Sequence, residues 1–181
     1  MSYSAKESAD REKDTKGPVM AKREVIRVGI IGQGRSGYDI HAAHLRGDRR
    51  YKIAAVVDPL KDRRGQAREE FGADVSATYK PLLARDDLDL VVNASPSHRH
   101  VPITLDLLKA GHNVLCEKPF ARHVADVDKM VRAAKRAGKL LAVFQQSRFA
   151  PYFDQIRKVI DSGVLGRIVM IRIPWNGFSR R

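Results

Sequence analysis

The sequence predicts an α/β fold built on a doubly wound parallel sheet, and three observations predict it. A glycine loop, Gly32-Gln33-Gly34-Arg35-Ser36-Gly37, follows the apolar run Val25-Ile26-Arg27-Val28-Gly29-Ile30-Ile31, where a strand should turn into a helix. An acid, Asp58, closes a second apolar run, Ile53 to Val57, and stands 21 residues beyond Gly37. Short apolar runs then keep alternating with helical patterns, as in a parallel sheet covered on both faces.

G-x-G-x-x-G alone is a weak signal, and its place between strand and helix is what gives it weight. The first glycine permits the tight turn, the second lets a pyrophosphate approach the backbone, and the third lets helix and strand pack closely. The helix N-terminus adds free N–H groups and partial positive charge for that phosphate. Asp58 is placed to accept hydrogen bonds from an adenosine ribose. Together these features predict a dinucleotide-binding Rossmann domain.

Residues 1–22 carry alternating charges and little apolar content, which predicts a disordered tail ahead of a dinucleotide-binding domain at 23–150. The first strand is Val25 to Ile31. Ile40, Ala43 and Leu45 predict the first helix, ended before Gly47. After the strand that stops at Asp58, a charged helix runs from Asp62 to Phe71 and is stopped by Gly72. Thr78 to Leu83 reads as a short third strand and turn, and Leu88 to Asn93 as the fourth strand. Val101, Leu105 and Leu108, at i, i+4 and i+7, give the next helix, which stops at Gly111.

Asn113 to Cys116 is the fifth strand and delivers Glu117-Lys118-Pro119 at its C-terminal end. Val124 to Ala137 is a helix whose buried stripe is expected to be Val127, Met130, Val131 and Ala134. Leu140 to Phe144 is the sixth strand. Pro151 opens a further helix at a compatible first-turn position, with Ile156, Val159 and Ile160 as its apolar face before Gly163. Gly166 to Ile173 is a seventh strand-like run, followed by Trp175 and a basic end. A lone strand cannot bury its own apolar face. Residues 151–181 are therefore expected to be a linking helix and the first strand of a second, absent domain, and the exposed run to promote self-association.

At 181 residues, 43% hydrophobic and 30% charged, the composition is that of a soluble globular protein. No apolar stretch approaches the roughly 18–20 residues of a membrane span, and the N-terminus lacks the apolar core of a signal peptide. Cys116 is the only cysteine, which excludes an internal disulfide and points to a reducing cytoplasm. The formal charge of +13 raises a nucleic-acid partner. Its basic residues are dispersed, however, and Phe, Tyr and Trp make only 7% of the chain, so a solvated surface is the better reading. No His/Cys/Asp cluster has metal-ligand spacing, and no nucleophile has a matched base.

On its motifs the chain resembles the N-terminal half of the Gfo/Idh/MocA oxidoreductase family. The matching pieces, in the family's order, are the glycine loop, Asp58, Ala94-Ser95-Pro96-Ser97-His98-Arg99-His100, Glu117-Lys118-Pro119 and Gln146-Ser147-Arg148-Phe149-Ala150-Pro151. The resemblance covers roughly Val25 to Ile173. It implies a cofactor, NAD with NADP possible, held by the glycine loop and Asp58. It further implies that Ser95, Pro96 and His100 line the nicotinamide side and that Glu117 orients the cofactor or Lys118.

Lys118 is the implied catalytic residue, since a partly desolvated lysine can exchange a proton with a sugar or polyol hydroxyl while hydride moves at the nicotinamide. His98 is expected to be a capping or surface group, and His41 and His44 to be surface or packing residues. Asp58 predicts a preference for NAD, offset in part by Lys61, Arg63 and Arg64 just beyond it. Family members run about twice this length, and their second domain carries the substrate pocket. A sugar or polyol is thus expected to be a substrate only with that domain supplied, and the 181-residue chain to bind cofactor with negligible turnover. A non-catalytic dinucleotide-binding module is the alternative.

Overall fold

In the computed structural model, which describes residues 25–174, 176 and 177, six strands form one sheet in which every pairing is parallel. They are β1 (Ile26–Ile31), β2 (Tyr51–Val57), β3 (Asp74–Ser76), β4 (Leu90–Asn93), β5 (Val114–Cys116) and β6 (Leu141–Val143), in the order β3-β2-β1-β4-β5-β6. The tail expected at 1–22 lies outside the described residues, as do Trp175 and the basic end.

Side chains alternate between the two faces of a strand, and here both faces are apolar. Val28, Ile30, Val56 and Val92 point into one core with Ala42, Leu45 and Ala67. Ile31, Val57 and Val91 point into the other, with Ile103, Leu107, Leu108 and Ala134. Burying each of the valine, leucine and isoleucine side chains among them contributes about 1.5–3 kcal/mol. That two-sided burial explains why the strands read as continuous apolar runs.

Four helices cover the sheet. The first, α1, begins as a π-helix over Ser36–Ala42 and closes as an α-helix over Ala43–Leu45. Then come α2 (Lys61–Phe71), α3 (His100–Lys109) and α4 (Val124–Ala137). Gly72 adopts φ 61° and ends α2, as its position predicts.

Three local expectations need correction. The third strand is Asp74–Ser76, not Thr78 to Leu83, and Lys80–Ala84 is a 3-10 turn that buries Leu82. Pro81 has no N–H for a ladder, so the apolar pair beside it packs from a turn instead. On α3 the buried residues are His100, Ile103, Thr104, Leu107 and Leu108, a face rotated from Val101-Leu105-Leu108; two of these buried residues, His100 and Thr104, are polar, so apolar spacing alone misplaces the phase. On α4, Met130 and Ala134 are buried but Val131 is 39% exposed.

The chain divides into two compact units, the first reaching Phe144 and the second starting at Gln145. Taken by itself, the second holds a 3-10 turn, Gln146–Phe149, and the helix α5 (Pro151–Asp161) with Pro151 in its first turn. The run expected as a seventh strand, Gly166 to Ile173, is unpaired: the described residues hold no strand that completes its ladder. No helix among them is long and apolar enough to cross a membrane.

Candidate functional site

Strands β1 and β4 are neighbours although β2 and β3 lie between them in sequence, so the strand order reverses at this pair. A crevice opens beyond the C-terminal strand ends at such a reversal. Ile31 stands opposite both Val57 and Asn93, and Asn93 opposite Cys116. Gly32, Asp58, Ala94 and Glu117 therefore leave the sheet at one level. Ladder bonds fix this level, with Gly32 N donating to Val57 O at 2.7 Å, Ala94 N to Ile31 O at 2.8 Å and Glu117 N to Asn93 O at 3.0 Å.

The three motif glycines answer to different demands. Gly32 holds φ +93°, and a Cβ there would press on Ala94, 2.9 Å from its carbonyl carbon. A Cβ on Gly37 would collide with the carbonyl oxygen of Gly32. At Gly34 the added carbon would meet only Nη1 of Arg63, at 3.6 Å, an ordinary contact. Gly32 and Gly37 are thus required by the fold, while Gly34 is not. Its bare backbone leaves the space that a close-lying pyrophosphate needs. The Gln33 side-chain amide beside it is buried, and neither its Nε2 nor its Oε1 finds a partner in the protein. Arg35 is exposed and Ser36 half-buried.

Asp58 holds the loop in place. Its Oδ2 accepts the Gln33 N–H at 2.8 Å, and its Oδ1 accepts the Leu60 N–H at 2.9 Å. Arg63 Nη1 stands 3.4 Å from the same Oδ2, and Arg64 Nη1 donates to Asp58 O and Pro59 O, both at 2.8 Å.

At the other end of the crevice a buried network ties two loops together. Asn93 donates from Nδ2 to His100 O and Thr104 Oγ1, each at 3.1 Å, and its Oδ1 accepts the Ser95 hydroxyl at 2.7 Å. The His100 ring nitrogens lie 2.8 Å from Ser95 O and 2.8 Å from Pro119 O. His100 is only 1% exposed and clamps the Ser95 loop to Pro119 from beneath. Ser95 is buried at the loop's base and Pro96 is exposed, as is His98.

Glu117 is buried where Lys118 is exposed. Its Oε1 lies 3.0 Å from His41 Nε2, and its Oε2 accepts the Lys118 backbone N–H at 3.0 Å. His41 meets the ring of Phe144 edge-on, centroids 4.5 Å apart. Burial pulls the His41 imidazole below its ordinary value of 6.5, against the hydrogen bond and charge of Glu117. Beneath the site, burial pushes the Cys116 thiol up to about 11, which leaves it unreactive. The Lys118 side chain is open to solvent.

The sequence of residues 26–145 matches the family model GFO_IDH_MocA, described as "Oxidoreductase family, NAD-binding Rossmann fold". The chain belongs to the Gfo/Idh/MocA oxidoreductase family. It is 31% identical over 151 residues to the myo-inositol 2-dehydrogenase of Thermotoga maritima, covering 82% of this chain and 44% of that protein. Among solved structures it is similar to the WlbA dehydrogenase of Chromobacterium violaceum, solved with NADH and UDP-GlcNAcA (TM-score 0.74, 28% identity, 81% of this chain and 43% of that one). It is also similar to KijD10, a 3-ketoreductase from Actinomadura kijaniata solved with NADP and TDP-benzene (TM-score 0.72, 28% identity, 77% and 43%). The chain spans less than half the length of these Gfo/Idh/MocA proteins.

The structure brings Gly32, Gln33, Gly34, Asp58, Ser95, Glu117 and Lys118 to one rim of the sheet, at the strand ends where the sequence placed them. Sequence reading missed the partnership of His41 with Glu117 and the anchoring by Asn93. The signal for His41 was present: Gly37 and His41 stand at i and i+4, which sets both on the sheet-facing side of α1, and both are buried. Among the described residues no group of three His, Cys, Asp or Glu side chains is placed to hold a metal ion.

Proposed function

We propose that this chain is the nicotinamide-dinucleotide-binding part of an oxidoreductase that moves hydride between the cofactor and a hydroxyl-bearing carbon of a sugar or polyol. The observation that carries the reading is the contrast among the motif glycines: the fold demands Gly32 and Gly37, and only a ligand gives Gly34 a reason to lack a side chain. The glycine-loop backbone would hold the pyrophosphate, Asp58 the adenosine ribose, and the Ser95-Pro96 turn the nicotinamide end. When bound, the cofactor supplies hydride chemistry at its nicotinamide ring.

Lys118 projects from the rim at that end and exchanges a proton with the substrate hydroxyl, a role worth on the order of 10²–10⁴-fold in rate. Glu117 and His41 hold the backbone from which it projects. A single, buried cysteine fits work in the cytoplasm.

A chimera that appends the C-terminal half of the Thermotoga maritima relative after Ile173 tests the reading. NAD reduction by myo-inositol that disappears in Lys118→Ala supports it. A chimera that binds NADH and turns over equally well with Lys118→Ala contradicts the role given to this lysine. The 181-residue polypeptide alone is expected to bind cofactor with negligible turnover.

A further inference from the structure

We propose that the open edge of β6 is a docking strip for an extended segment of a partner protein, apolar along its length and acidic at one end. Nothing in the dinucleotide site uses this edge.

Strand β6 ends the sheet: it pairs with β5, and no other described strand pairs with it. Its ladder to β5 starts at Leu140 O, which accepts the Val114 N–H at 2.8 Å. The ladder closes at Phe144 N, which donates to Cys116 O at 2.8 Å. The backbone groups of alternate residues in a parallel strand serve opposite neighbours. Leu141 and Val143 therefore turn their N–H and C=O groups away from β5. Such a row of unpaired groups is a template for one more strand.

The ground beside this edge is apolar on both faces of the sheet. Ile26 and Leu90 pack with the core on the α1 side, Leu141 packs with the core under α3 and α4, and Val131 stands on α4 itself. All four line one groove of about 840 Å³, which therefore wraps around the open edge. Val131, Leu140 and Val143 are 39%, 60% and 42% exposed. An added strand sends alternate side chains to the two faces, and here both sets meet apolar partners.

Charge selects the occupant. Lys135 and Lys139 line the groove beside the start of β6, and neither has an ion-pair partner among the described residues. Arg132 and Arg136, exposed on the same helix, are likewise without one. Asp89, the acid in the lining, is already engaged, its Oδ2 accepting the Arg27 N–H at 2.8 Å. A segment with its acids beside Leu140 and its apolar residues running toward Val143 matches both the groove and its cations. A second copy of this chain is a poorer occupant, because two molecules of formal charge +13 repel each other.

Fluorescence anisotropy of the full chain with labelled synthetic peptides tests the assignment. The probe is Asp-Asp-Val-Thr-Val-Ile-Val-Thr. It is compared with Lys-Lys-Val-Thr-Val-Ile-Val-Thr and with the acidic peptide N-methylated throughout its apolar part, which cannot donate to β6. The acidic peptide is expected to bind saturably and about tenfold more tightly than the lysine peptide. Lys135→Glu/Lys139→Glu should reverse that order. Val143→Pro removes an outward N–H and no bond to β5, and should weaken the acidic peptide by about fivefold or more. N-methylation should weaken it as much, and reads the backbone contact on the unaltered chain.

No saturable binding of the acidic peptide overturns the proposal, as does equal binding of the acidic and lysine peptides or undiminished binding of the N-methylated one. So does a single-stranded DNA probe that binds where the peptide does not and is lost in Lys135→Glu/Lys139→Glu, which assigns the cations to a nucleic acid. A dimer in light scattering that Val143→Pro separates also overturns it, and assigns the edge to a second copy.

Discussion

His41 and Glu117 form a buried pair, Nε2 to Oε1 at 3.0 Å, that joins the helix after the glycine loop to the strand end carrying Lys118. Their side chains are 5% and 4% exposed. Removing one partner leaves the other buried with an unmet hydrogen bond, which costs about 1–3 kcal/mol. His41→Phe should therefore lower the unfolding free energy in urea by about that amount. His41→Gln, which keeps a donor, should lose much less.

The same pair predicts a response to acid. Burial holds the His41 imidazole below 6.5, Glu117 opposes this, and the nearby charge of His44 adds to it. The unfolded chain thus takes up a proton at a higher pH than the folded chain does. The stability from neutral His41 is complete above about pH 6.5 and is lost as pH falls toward the folded value. His112 is also held low, chiefly by burial, and acts in the same direction. Urea unfolding at about pH 7.5 and about pH 5.5 should show a fall in stability that is shallower in His41→Gln, with the His112 share remaining.

His100 and Asn93 should govern one half of the site alone. They fix the Ser95 loop to α3 and to Pro119 and make no bond to Asp58, where the adenosine end is proposed. His100→Ala is expected to reduce NADH affinity severalfold and to leave AMP affinity unchanged, read by calorimetry. Equal losses for both ligands would mean that the whole domain has loosened.

The apolar residues near the C-terminus should make the chain self-associate. Val169, Met170, Ile171 and Ile173 are 81%, 73%, 58% and 69% exposed, and the backbone there is unpaired. Light scattering of the full chain should report species larger than the monomer at high concentration. Trimming after Gly163 should return it to a monomer.

Much of the fold was legible because its signals are local. The glycine loop, Asp58 and Glu117-Lys118-Pro119 each sit at the end of a strand whose apolar run marks it, so motif and position could be read together. Helix α4 was placed from Val124 to Ala137 because its apolar and charged residues segregate at helical spacing. What escaped depends on distant partners or on ambiguous pattern. The partner of His41 is 76 residues away, and no periodicity announces it. The phase of α3 was hidden because two of its buried residues, His100 and Thr104, are polar. The run Gly166 to Ile173 has strand composition, but a strand forms only when a neighbour completes its hydrogen bonds.

Dinucleotide binding at the rim of this sheet, through the open backbone at Gly34, is open to a paired measurement. The full chain and its Gly34→Val variant are titrated with NADH by nicotinamide fluorescence, and each is unfolded thermally in the absence of ligand. A Cβ at Gly34 meets only the far end of a flexible arginine, so the variant should keep the wild-type melting temperature within a few degrees. Saturable fluorescence enhancement is expected in wild type and none in the variant. Absence of saturable binding in wild type, or undiminished binding in a folded Gly34→Val, would contradict it.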